Sequence, residues 1–595
     1  MYRAPVSEIS HVLKQVTRLG DIMAQEQAGD LSEDLLDAIL EEAGKFASEE
    51  IAPLSRTGDA QGAVLGNGEV TMPDGWADLY RRWAEGGWNS LTGPSAFGGQ
   101  DLPMSLQTAA FEMWNSGSLA FGIGPTLTIG AIEALNMHAS EELKQVYLEK
   151  LVSGEWMGTM NLTEPQSGSD LNGLKSRAEP TGDGRYRIFG QKIFITYGEH
   201  DMTDNIVHLV LARLPDAPAG QRGISLFLVP KYLVSDEGQP GERNDVYCHS
   251  VEHKLGIHAS PTCTMIFGDG KFGEEAGALG WLIGEENRGL ACMFTMMNNA
   301  RLLVGIQGVA VAESATQHAR AYALDRRQGR AASYDGDGMA PIAHHPDVQR
   351  TLMTMSALTQ AARCIAYSCA HALDQQAEED GAGADWRDRA ALLTPVAKAF
   401  STDIGCEVAS MGVQIHGGMG YIEETGAAQL LRDARIAPIY EGTNGIQAID
   451  LVTRKLPLNN GQVIERYLIE LESIADDVQA SNRVEINSMA NGLKRGLADL
   501  RGATQFLLDA LKADEKQIAL CGSTPYLRLF GLAAGAAYLA QSAMVADEAD
   551  GNGRAVTAGF MAGNLLNETA GLRATIEQGA TSLLNAGEAM LQNQG

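Results

Sequence analysis

The spacing of apolar residues changes twice along this chain, and that limits the available folds more than any other feature. To about residue 157 hydrophobic side chains recur at helical spacing. After Ser32, a residue type that caps helix N-termini, come Leu36, Ile39, Leu40, Ala43, Phe46 and Ala47. A further helix starts near Ser140 and sets Leu143, Tyr147, Leu148 and Leu151 on one face. From about Gly158 to Asp269 the texture becomes short alternating or β-branched runs, YRIFGQKIFIT, DNIVHLVLAR, GISLFLV and CTMIFG, parted by turn-rich loops. No helix-length segment separates these strands, so antiparallel pairing is expected. Helical pattern returns from Gly289 to about Arg454, broken by one loop near 329–343. LPLNNG (456–461) reads as a linker, and a last helical section carries Ile464, Leu468, Leu471 and Ile474. The expectation is a mainly α protein with a central β domain. A chain of 595 residues is too long for one core, and it divides at 1–157, 158–275, 276–455 and 456–595.

Charge narrows the partners. With 75 acidic and 45 basic residues the formal net charge is -30, which disfavours nucleic acid and anionic membranes. A small anionic ligand is still compatible, because helix N-termini and a few arginines hold phosphates locally. The 7 cysteines form no CxxC pair and no metal-ligand spacing, the pattern of reduced thiols in a cytoplasmic protein without a metal site. The N-terminus lacks the apolar core of a signal peptide. The apolar stretch Leu529 to Ala546 is rich in Ala and Gly and broken by Gln541 and Ser542, as in a core helix rather than a membrane span. No nucleophile elbow, HExxH or phosphate-loop pattern occurs.

Three segments concentrate small, polar and acidic residues. MNLTEPQSGSD (Met160 to Asp170) turns at Pro165 and Gly168 and offers the hydroxyls of Thr163, Ser167 and Ser169 to an anionic or heteroaromatic ligand. A decorated surface loop accounts for it equally well. In GQKIFITYG, alternation sets Ile193 and Ile195 on one face and Phe194 and Thr196 on the other, which an ordinary half-buried strand also does. In QIHGGMGY and LRDARIAPIYEGTNGIQ, Gly417, Gly418 and Gly420 permit close backbone approach. Glu441 follows an apolar-aromatic run, where partial desolvation would raise its pKa and suit it to abstract a carbon-bound proton. Its plainer reading is an acid favoured at a helix N-terminus.

Taken together, TEPxxGSD, GQKxxIT, QxxGGxGY and IYEGTxxIQ resemble the acyl-CoA dehydrogenase family in order and separation, over about residues 1–455. The added C-terminal unit and YRAPVSEI most resemble the enlarged bacterial branch that includes the 3-methylthiopropanoyl-CoA dehydrogenases. The resemblance implies a helical N-domain, a β-barrel-like middle domain, a helical-bundle C-domain and an additional helical domain. It implies FAD as cofactor and Glu441 as the base that takes the pro-R α-proton of an acyl-CoA while the β-hydrogen leaves as hydride. Some relatives place the base before the arginine of an earlier helix; here that position is Ala300, before Arg301. Ser169, Asn298, Arg301 and Gly442 would face the substrate. Met160, Leu162, Thr163, Ser169, Phe194, Ile195, Thr196, Thr443 and Gly445 would contact FAD, with Phe194 standing where many relatives have Trp. Arg326, Gln414, Gly417 and Gly418 would serve the FAD of a neighbouring subunit, so a homodimer or larger homo-oligomer is implied. The family's usual Phe and His-Gln at the adenine end read here as Gly329 and His345-Pro346. Electrons would pass to an electron-transfer flavoprotein. An oxidase on the same scaffold is the nearest alternative. The DNA-associated branch needs a basic extension, whereas residues 456–595 hold 16 acids against 10 bases.

Overall fold

The computed structural model describes residues 2–24, 31–235, 238–376, 381–546 and 548–592, without the side chains at 298, 381, 382, 548–551 and 588. Asn298 therefore lies outside the described side chains.

Helices build the first unit, and their starts follow the capping residues. Ser32 accepts from the Leu35 N–H at 3.2 Å to open Glu33–Phe46, and Ser140 accepts from Leu143 to open Glu141–Val152. Helices Met104–Gly117 and Leu119–His138 are buried on nearly every face. Leu119–His138 and Gly289–Asp325 are long and apolar enough to cross a membrane, but most of each is packed inside the protein. The apolar stretch near the C-terminus forms the interior helix Ser523–Val545.

The central strands run in the order Val246–Val251, Thr262–Phe267, Tyr186–Thr196, Ala278–Ile283, Ser225–Pro230, Ile206–Ala212 and Met157–Asn161, with Arg177–Pro180 also on Tyr186–Thr196. One pairing departs from the antiparallel expectation: Met157–Asn161 lies parallel to Ile206–Ala212. The crossover it requires is supplied by strands Arg177–Pro180 and Tyr186–Thr196 rather than by a helix. The sheet is accordingly mixed.

In the third unit, helices Gly289–Asp325 and Gly381–His416 run parallel with their backbones in contact. A Cβ at Gly308 would lie 2.3 Å from the Ser401 carbonyl oxygen, and one at Gly405 2.8 Å from that of Gly308. Buried Arg363, on Pro346–Gln375, joins Glu112 at 2.5 Å and Glu313 at 2.7 Å and so ties this bundle to the first unit.

The fourth unit packs Ser523–Val545 onto that bundle. A Cβ at Gly531 would stand only 2.2 Å from the Phe400 ring, so the glycine forms a notch for it. The opposite end of the chain closes on the same unit. Ile9, Val12 and Leu13 are buried, His11 lies 3.0 Å from Ser542 Oγ, and Arg554 pairs with Glu8 at 2.6 Å.

Candidate active site

Glu441 stands at the tip of a closed loop. The Asn444 N–H donates to the Pro438 carbonyl at 3.0 Å, and Glu441 and Gly442 carry φ of 57° and 85° between them. A left-handed glutamate costs roughly 1–2 kcal/mol, so other contacts must hold it. Gln447 Nε2 donates to the Glu441 carbonyl at 3.1 Å, and Tyr440 OH donates to Gln307 Oε1. Thr443 caps helix Asn444–Asp450, its Oγ1 accepting from the Ile446 N–H at 3.3 Å. Glu441 is half-buried as a residue, yet its Oε2 is sealed from solvent without a hydrogen-bond partner. Burial lifts the carboxyl to about 7, against the opposing pull of Arg301 and Lys398. Among the described residues none accepts a hydrogen bond from the Glu441 N–H. The tip thus sets a carboxyl of raised pKa and a free backbone donor side by side.

Arg301 faces this tip from Gly289–Asp325. Burial lowers its pKa, and its Nε has no partner. Lys398 reaches it from Gly381–His416, where Nζ donates to Asn444 Oδ1 at 2.8 Å. Gly445 is exposed at the start of the following helix.

The loop 160–170 is fastened by an acid of the opposite character. Glu164 is buried and accepts from Lys192 Nζ at 2.8 Å, Lys175 N at 2.7 Å, Ser176 N at 3.0 Å and Gln166 Nε2 at 2.7 Å. Burial alone would raise its pKa, but Lys192 and the other donors bring it down to about 2. Burial draws the Lys192 ammonium down to about 8, still above neutrality, so the pair is ionic at pH 7. The clamp leaves Thr163 half-buried and Ser169 exposed, while Ser167 is used internally, donating to the Asp170 carbonyl at 2.6 Å.

The strand beside this loop does not alternate as expected. Cys263 pairs with Ile195 and Met265 with Lys192, so Ile193 and Phe194 together oppose Thr264 in a β-bulge. Phe194 takes φ 61°, the alternation slips, and Ile195 shares the buried side with Lys192 instead of Ile193. Phe194 is left 58% exposed beside the clamped loop. An aromatic turned outward on a bulge and unspent hydroxyls at Thr163 and Ser169 fit a flat heteroaromatic ring with polar edges. These features match the requirements of FAD.

Arg326, Gln414, Gly417 and Gly418 form a separate, exposed group. His416 stacks on Tyr322 at 4.3 Å between ring centroids, which holds the ends of the two parallel helices together. The helical rise sets Arg326 roughly 37 Å from Arg301 along the axis. Gly329 has φ 65°, and Pro346 occupies the first turn of Pro346–Gln375, a position suited to its missing N–H.

Several side chains that hold these loops carry no motif of their own in the sequence: Glu164, Lys192, Lys398, Asn444 and Gln447. A signal existed for Lys398, a lone cation inside the apolar run Val396, Ala397, Ala399 and Phe400.

Fold and site define a flavoprotein-type dehydrogenase, and family models agree. Models described as acyl-CoA dehydrogenase N-terminal, middle and C-terminal domains match residues 33–155, 159–269 and 287–456, and an acetyl-CoA dehydrogenase C-terminal-like model matches 470–586. The chain belongs to the acyl-CoA dehydrogenase family and is an enzyme of that class. It is 44% identical to the 3-methylmercaptopropionyl-CoA dehydrogenase of Ruegeria pomeroyi, over 98% of this chain and 99% of that one. Caenorhabditis elegans ACDH-11, solved in complex with C11-CoA, superposes with a TM-score of 0.75 at 20% identity, covering 94% and 91% of the two chains. An acyl-CoA dehydrogenase of Bacillus anthracis complexed with FAD gives 0.70 at 23% identity, with the same coverage of 94% and 91%.

Proposed function

We propose that this enzyme is a cytoplasmic, homodimeric FAD-dependent dehydrogenase that converts an acyl-CoA to its trans-2-enoyl-CoA and passes the electrons to an electron-transfer flavoprotein. The observation that carries the reading is the Glu441 carboxyl, its Oε2 sealed and unpartnered and its pKa raised to about 7. A base of that pKa is deprotonated in a large share of molecules near neutrality and remains strong enough to take an α-proton. Glu441 removes that proton. The negative charge that develops on the thioester oxygen is met by the Glu441 N–H, which no described residue engages. Gly442, whose added Cβ would lie 2.7 Å from Gln447 Nε2, keeps the backbone open to the thioester. Arg301 and Asn298, both on helix Gly289–Asp325, are assigned to the CoA portion.

FAD, when bound, supplies the acceptor for the β-hydrogen. Met160, Leu162, Thr163, Ser169, Phe194, Ile195 and Thr196 would hold its ring end, Ile195 through the backbone because its side chain is buried. Thr443 and Gly445 would lie towards its ribityl and phosphate portion. Arg326, Gln414, Gly417 and Gly418 are too distant for this duty in one chain and would serve a second subunit.

The 44% relative names the first substrate to try, 3-methylmercaptopropionyl-CoA, beside straight-chain acyl-CoAs. Purified enzyme is mixed with each thioester without oxygen. Bleaching of the flavin with formation of the matching enoyl-CoA, abolished in Glu441→Gln, is the expected result. A bound flavin that no acyl-CoA reduces would refute the proposal.

A further inference from the structure

Resting on the reading of Glu441 as the base, we infer that Lys398 is its positioning residue, fixing the base loop through Asn444 and setting the electrostatic field in which Glu441 works. The geometry begins with Asn444, whose side-chain amide is spent on one face of helix Gly381–His416. Its Oδ1 accepts from Lys398 Nζ at 2.8 Å, and its Nδ2 donates to the Ala399 carbonyl at 3.1 Å, Thr402 Oγ1 at 3.0 Å and Asp403 Oδ1 at 2.7 Å. The backbone of the same residue closes the loop by donating to Pro438. One residue therefore joins the strained tip to a rigid helix, and Lys398 is the charged member of that joint.

Lys398 is fully buried, where an ammonium is costly unless a neighbour needs it. Its surroundings name that neighbour. Glu441 and Asp403 are the acids that act on it, and Arg301 is the opposing cation from helix Gly289–Asp325. Seen from Glu441, the cations are Arg301 and Lys398, and Tyr440 is the adjoining titratable group. Asp450 and Arg454 act on Arg301 from the far side. Burial lowers Lys398 to about 8, so it is mostly charged at the pH where Glu441 is half-titrated. Two buried cations restrain the upward push of burial on Glu441, and Lys398 also holds the loop. A lysine kept for packing alone would need neither the bond to Asn444 nor a place beside the carboxylate.

The test uses the holoenzyme and whichever of 3-methylmercaptopropionyl-CoA or butyryl-CoA bleaches the wild-type flavin. Single-turnover bleaching is followed against pH for wild type, Lys398→Met, Lys398→Arg, Asn444→Leu and Glu441→Gln. Loss of the cation should move the acid limb of Lys398→Met upward by about one pH unit, and Lys398→Arg should return it towards wild type. Asn444→Leu, which spares the charge, should lower the rate at every pH and leave the limb in place. An unmoved limb in Lys398→Met, with Glu441→Gln inactive, overturns the role of Lys398 and leaves the base intact. Wild-type rates in Asn444→Leu overturn the anchoring. Wild-type rates in Glu441→Gln overturn the base and this inference together. If Lys398→Met fails to retain flavin, Asn444→Leu still decides the anchoring, and the limb of Lys398→Arg decides whether charge at 398 sets the pH response.

Discussion

Glu441 and Glu164 are both withdrawn from water, and the protein treats them in opposite ways. Glu164 receives donors from Lys192, two backbone amides and Gln166, and it is ionised down to about pH 2. Glu441 has an oxygen with no donor at all and rises to about 7. Burial is common to the two; donors are not. A satisfied carboxylate is a fastener, and an unsatisfied one at the tip of a strained loop has the character the proposed base requires.

The contrast can be broken most sharply at the reagent. Glu441→Gln should cut the rate of flavin reduction by about 10²–10⁴-fold while flavin remains bound, measured by anaerobic stopped flow. The fastener should answer in stability instead. Lys192→Met strands the buried Glu164 charge and should cost about 3–5 kcal/mol in urea unfolding, with loss of flavin from the loop. The pH response separates them again. The acid limb of kcat/KM should fall near pH 7, because Glu441 must be deprotonated to act, and activity is lost as pH drops through that value. The Glu164 pKa is shifted in the opposite direction, so its loss comes at far lower pH. Its pKa is depressed on folding, so its stabilisation is complete above the unfolded-state value and disappears as pH falls towards about 2. The smallest effect should be a gain: Glu441→Gln removes a charge that burial disfavours, so its melting temperature should rise slightly at pH 8 and match wild type at pH 4.

Much of this was readable in advance, and what was not shares a cause. The helical and strand-rich sections, the cap Ser32, the helix start near Ser140 and the Glu441 segment are local patterns, set by residues a few positions apart. The parallel pairing of Met157–Asn161 with Ile206–Ala212 has no local signature, since its crossover is built from other strands. The bulge at Phe194 depends on its register with Cys263 and Met265 on another strand, so the period of two misassigned Ile193. Lys192 and Glu164 are separated by 28 positions, and Lys398 and Asn444 by 46. Their meaning arises only when distant segments meet.

The closure of residues 6–16 on the last unit has a consequence for how the chain is made. His11 meets Ser542 across 531 positions, so the two partners leave the ribosome about 30–100 s apart at ordinary elongation rates. For that interval the strip carrying Ile9, Val12 and Leu13 lacks the face that helix Ser523–Val545 supplies. The opening segment is synthesised first and finished last, and any cell making this protein must keep that apolar strip from other company until the final hundred residues arrive.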